Sequence, residues 1–161
     1  MARLRVPVQL RWSDVDGYAH VNNVAMLTIL EESRIEVFWA SPPSVDDTDR
    51  QPWPTAVIDA GPGAETATLV ARQQIEYLVP LAYRRTPVLV EMWLGHLGGA
   101  SMDVCYEVKD PGEDGTVYAR AETTVVLVDA ATGRPRRLGE VERAAWSPYV
   151  EAPVEFRHRG R

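Results

Sequence analysis

The sequence holds a single cysteine, Cys105, which excludes an intrachain disulfide and any cysteine-based metal cluster. A chain without either fits a reducing cytoplasm, the location expected for it. Histidine is nearly as scarce: His20, His96 and His158 lie in unrelated segments with no His-x-x-x-His pair, so no metal site is expected. No apolar run approaches the roughly 20 residues of a membrane span. The first residues also lack the apolar middle of a secretory signal, so no membrane contact is expected. Positive charge is in deficit, the net being -6, which argues against broad nucleic-acid binding. Neither Gly-x-Ser-x-Gly nor a glycine-rich phosphate loop occurs, removing the serine-hydrolase and P-loop readings.

What is present suits one compact domain over residues 1–161, with 45% hydrophobic content. Val6, Val8, Leu10 and Trp12 alternate with polar or small neighbours at the period of a half-buried strand. Asp14 and Asp16 continue that parity until Gly17, where a break is expected. From Val24 to about Ala40 the period becomes helical, with Met26, Ile29, Leu30, Ser33 and Val37 on one face. Leu27, Ile35, Phe38 and Trp39 widen this stripe until only Thr28, Glu31, Glu32, Arg34 and Glu36 read as wet. So apolar a helix should be wrapped by other structure. Asn22 or Asn23 is its expected N-cap, and Pro42-Pro43 its expected stop.

Residues 41–63 carry five of the twelve prolines and read as a loop excursion: a lid, a dimer contact or a plain surface loop. Four strands are expected after it, at 66–78, 88–97, 101–109 and 116–128, with turns at Pro80, Gly98-Gly99, Pro111-Gly112 and Gly115. A short helix near 140–146 comes last. The order predicts an α+β fold, one sheet curled around one helix.

Asp14, Asp16, His20, Asn22 and Asn23 crowd the junction between the first strand and the helix. A helix N-terminus offers unpaired N–H groups and a partial positive charge, which suit a polarised carbonyl. A carboxylate beside it can act as nucleophile or as base on water. The same residues also make an ordinary turn and cap, so spacing alone leaves both readings open. A calcium loop fails, because the expected bidentate Glu is Ala25. Two basic clusters, Arg84-Arg85 and Arg134-Pro135-Arg136-Arg137, read either as solvated loops or as local anion sites.

The strings Arg11-Trp12-Ser13-Asp14-Val15-Asp16 and His20-Val21-Asn22-Asn23, with Glu31-Glu32-Ser33-Arg34 further along the helix, resemble the 4-hydroxybenzoyl-CoA thioesterase-like family of hotdog-fold proteins. Residues 66–128 match it more loosely. The resemblance implies a hotdog fold, one long central helix wrapped by a five- or six-stranded antiparallel sheet, forming a homodimer or homotetramer. It implies hydrolysis of an acyl-CoA thioester, with no cofactor beyond the coenzyme A of the substrate. Asp16 would be the catalytic carboxylate and the backbone amide of Asn23 would polarise the thioester carbonyl. His20, Asn22 and Tyr18 would contact substrate or water, and Arg134, Arg136 and Arg137 would bind the CoA phosphates. A hotdog enoyl-CoA hydratase or dehydratase, or a non-catalytic acyl-thioester binder, are the alternatives. The acyl group, its CoA or carrier-protein linkage, and the choice between nucleophile and base are left open.

Overall fold

A computed structural model describes residues 2–40, 51–59 and 61–157. Its elements are β1 (Leu4–Val8), α1 (Asn23–Phe38), β2 (Thr66–Tyr77), β3 (Val88–Leu97), β4 (Ser101–Lys109), β5 (Val117–Asp129) and α2 (Glu140–Trp146). The five strands form one antiparallel sheet in the order β1-β3-β4-β5-β2. β1 and β2 are therefore its edges, and β2, reached only after the helix, returns to pair with β5. Two tight connections fix the central register: Gly98 N–H bonds Ser101 O, and Asp110 N–H bonds Thr116 O. Gly112 supplies the positive φ that the second turn requires.

One face of the sheet packs on α1. Met26, Ile29, Leu30, Val37 and Phe38 share a core with Val90, Met92, Val104, Tyr106, Val125 and Leu127. Each such side chain contributes about 1.5 to 3 kcal/mol by leaving water. The other face is partly roofed by the chain after α2, which crosses the strands. Glu151 N–H bonds Leu94 O, Trp93 Nε1 bonds Ala152 O, Arg120 bonds Glu155 O, and Arg157 N–H reaches Glu76. This strap is why β3 is buried on both faces and carries a Trp at 3% exposure.

Several expectations change. The alternation read through Trp12 stops as a strand at Val8; Trp12–Asp14 is a 3-10 turn that leaves Trp12 74% exposed. The helix has 16 residues and ends at Phe38, ahead of the prolines. Trp39 leaves it because it bridges Ile58, with Ile58 N–H on Phe38 O and Ala40 N–H on Ile58 O. Arg34, read as wet, is buried, whereas Ile35 is 46% exposed. Of the 41–63 excursion, residues 41–50 and 60 lie outside the described residues. Thr55 and Ile58, within it, are core rather than surface loop: Thr55 is bonded to Val37 O and to Trp146 Nε1.

Candidate functional site

The junction between β1 and α1 folds into a small, heavily bonded hairpin. Asp14 closes its first turn, accepting the Arg11 N–H at 2.7 Å and the Arg11 guanidinium at 3.0 Å. At 2% exposure its carboxylate is a structural acceptor. Asn22 N–H then bonds Asp14 O at 2.8 Å, and Asp16 N–H bonds His20 O at 2.9 Å. Val15 and Val21 bridge between these bonds, so residues 15–21 run out and back. The left-handed residue at the tip is Ala19, with φ 61°, and not Gly17, where the break was expected.

Asp16 sits where this hairpin turns. Its Oδ1 accepts the Tyr18 N–H at 2.9 Å and the His20 N–H at 3.4 Å. Oδ2 has no partner among the described residues. The carboxylate is thus oriented by backbone and half-buried, with one oxygen free to act. Two carboxylates two residues apart have opposite situations: Asp14 is fully engaged, Asp16 half engaged.

The helix start lies against the same hairpin. Asn22 is the N-cap, its Oδ1 accepting the Val24 N–H at 2.8 Å. Asn23 is the first helical residue, so its amide has no acceptor within the helix. The Tyr77 hydroxyl donates to Asn23 O at 3.2 Å, tying the end of β2 to the helix start. Partial desolvation of its hydroxyl against the helix start pushes the Tyr77 phenol up, so it stays a donor at neutral pH. From the far side, Val21 N–H bonds Leu81 O at 2.8 Å and His20 bridges Ala82. The segment after β2 therefore braces the hairpin, a contact that sequence reading missed. Its only sequence signal was an apolar Leu81 directly after a proline.

Around this junction the surface is unusually apolar. Trp12, Tyr18, Val24, Tyr77 and Val79 are all exposed, and a cleft of about 190 Å³ opens between Val21, Met26 and the stretch Tyr77 to Leu81. Exposed apolar groups gathered at one place mark a binding surface. The His20 backbone is held by the hairpin, and its imidazole has no hydrogen bond among the described residues. The one thiol is not a competing nucleophile, since burial pushes Cys105 up to about 12. Among the described residues, no group of three His, Cys, Asp or Glu is placed to hold a metal. No helix among them is long and apolar enough to cross a membrane.

The Arg134 to Arg137 cluster lies elsewhere. Pro135 bridges Val128 at the end of β5, and Arg136 bonds Thr66 Oγ1 and Glu142. The Arg136 guanidinium holds the Glu142 carboxyl below the usual carboxylate range. Thr66 begins β2 and Tyr77 ends it, a span of roughly 36 Å at strand geometry. One chain does not bring these arginines to Asp16. Asp16, Tyr18, His20, Asn22 and Asn23 do stand together.

Residues 10–156 match the family described as the thioesterase-like superfamily. No curated protein matches the chain. Among solved structures it is similar to a predicted thioesterase from Bacillus stearothermophilus, with 22% identity over 95% of this chain and 100% of that one and a TM-score of 0.71. A candidate acyl-CoA thioesterase from Xanthomonas campestris shares 26% identity over 84% and 98% of the two chains, with a TM-score of 0.62. A 1,4-dihydroxy-2-naphthoyl-CoA thioesterase from Synechocystis shares the fold at 16% identity, covering 91% and 96%, with a TM-score of 0.69.

Proposed function

The chain belongs to the thioesterase-like superfamily, and we propose that it hydrolyses an acyl-CoA thioester to the free acid and coenzyme A, with Asp16 as the catalytic carboxylate. The observation that carries this reading is the state of Asp16: one oxygen fixed by two backbone amides, the other open, on a hairpin bonded to a helix start. Similarity to the candidate acyl-CoA thioesterase of Xanthomonas and to the naphthoyl-CoA thioesterase of Synechocystis supports the substrate class.

In this reading the thioester carbonyl oxygen accepts the Asn23 N–H, where the helix dipole favours developing negative charge. Asp16 Oδ2 then acts in one of two ways. As nucleophile it forms a C–O bond to the carbonyl carbon; the C–S bond breaks, CoA leaves as thiolate, and water hydrolyses the mixed anhydride. As base it takes a proton from water, whose oxygen bonds the same carbon; the C–S bond then breaks and CoA leaves, taking up the proton that Asp16 holds. Donors aimed at such an oxyanion contribute about 3 to 4 kcal/mol each in acyl-transfer enzymes. Asn22 serves chiefly by capping, since its Oδ1 is already committed to Val24. Tyr18, 84% exposed, and His20 are the side chains that meet substrate at the hairpin.

A homodimer completes the site. The outer edge of β2 carries exposed Leu69 and Val70, and an apolar edge strand invites pairing. Two β2 edges pairing antiparallel set the Thr66 end of one copy beside the Tyr77 end of the other. That brings Arg134 and Arg137 of a second copy toward the first copy's junction, where CoA phosphates would need cations. A thiol-release screen over acyl-CoAs of varied length and aromaticity tests the activity. Release from at least one member is expected; none from any member, with acyl-CoA bound, would replace hydrolysis by simple binding.

A further inference from the structure

Beside the helix start, a groove of about 320 Å³ runs between α1 and β2. It opens at Val24, one residue from the Asn23 amide, and continues past Leu27, Thr28, Val70 and the Glu31 carboxylate to Arg34 and Gln73. Its first part is mostly apolar. Its inner end is not.

Arg34 is only 3% exposed and poorly satisfied. Nη1 donates to the Tyr106 hydroxyl at 3.0 Å, Nη2 stands 3.9 Å from Glu31, and Nε has no partner. Glu31 is itself more than half exposed, so it screens this cation weakly. Gln73 holds Thr123 Oγ1 by a long 3.5 Å contact. A buried guanidinium with open N–H positions is costly unless an acceptor reaches it.

We propose that this groove receives the acyl group of the thioester, and that Arg34 selects acyl groups bearing an oxygen acceptor at their far end, a carboxylate or a hydroxyl. The inference rests on the thioesterase reading above. Along the helix the Asn23 amide and Arg34 are 11 residues apart, roughly 16 Å at 1.5 Å per residue. The arginine side chain leans back toward the helix start, shortening the reach to about 11 Å. With bond lengths near 1.5 Å in a zigzag chain, that is a span of roughly eight to ten bonds.

The test compares octanoyl-CoA, 8-hydroxyoctanoyl-CoA and the CoA monothioester of octanedioic acid as substrates. The wild-type protein should show kcat/KM at least tenfold higher for one or both oxygenated substrates, and the better of the two tells anion from hydroxyl. Arg34→Met should bring that ratio close to one, and Arg34→Lys should restore part of it. Thermal melts report whether Arg34→Met folds; if it does not, Gln73→Leu, on the exposed part of β2, should still lower the ratio several-fold. Equal hydrolysis of all three by the wild type overturns the inference and leaves the thioesterase reading standing. Absence of hydrolysis of every acyl-CoA in a broad panel removes both.

Discussion

At Asp14 and Asp16 the same side chain has two duties. Asp14→Ala should cost about 1 to 3 kcal/mol, because it strips the acceptor from the Arg11 N–H and guanidinium at a buried position; a lowered urea midpoint would report it. Ala19 has φ 61°, a conformation costing an L-residue about 1 to 2 kcal/mol. Ala19→Gly relieves that, against about 0.4 to 1 kcal/mol of added freedom in the unfolded chain. The net expectation is stabilisation of up to about 1 kcal/mol, or a melting temperature raised by a few degrees; a lowered melting temperature would refute the strain. The crowding of these residues at a strand-to-helix junction was legible in the sequence. Spacing did not separate their individual duties; only the family resemblance set Asp16 apart from Asp14. Parity treated the two aspartates alike, because nothing local shows that the strand stops at Val8 and that a 3-10 turn at residues 12–14 reorients Asp16. Gly17 invited the positive φ, but the bonds of residue 16 to residues 19 and 20 place it at Ala19.

At the scale of elements, the start of α1 depends on one cap. Asn22→Ala should cost about 1 kcal/mol of stability and reduce turnover by loosening the Asn23 amide, while Asn22→Asp, which keeps the acceptor, should retain most of both. The strap across the outer face depends on Gly95, beside the register shift between Leu94 and His96 in β3. A Cβ there would stand 2.8 Å from Cys105 Sγ and 3.0 Å from Pro153, so Gly95→Ala should destabilise by about 1 to 3 kcal/mol, seen as an earlier thermal transition. Strands β2 to β5 were readable as strand-like runs bounded by proline and glycine turns, and α1 by its helical period. The strap left no such record, since it binds through backbone groups and isolated contacts with no period. Arg34 was misread for a related reason: a long polar side chain at a helix position looks wet until a Tyr hydroxyl across the core accepts it.

For the whole molecule, several carboxyls are held below their usual range by hydrogen-bonded arginines. Arg136 does this to Glu142, Arg3 to Glu151, and Arg84 to Asp110. A depressed carboxyl stabilises the fold at pH above its unfolded value, near 4, and that contribution is lost as pH falls through the lower folded value. Stability should therefore be flat near neutrality and drop in acid below about pH 4.5, as urea midpoints across pH would show; an acid-independent midpoint would contradict these pairings. The α+β order of strands and helices was legible because its pattern is local. The separation of Arg134 to Arg137 from the junction was not, because it depends on β2 returning to pair with β5. The central claim is that Asp16 performs chemistry rather than merely turning the chain, and thiol release by Asp16→Asn tests it most directly. Matched to wild type in thermal melt, that variant should lose about 10² to 10⁴ in kcat on the best acyl-CoA; a variant as active as the wild type would contradict a catalytic Asp16.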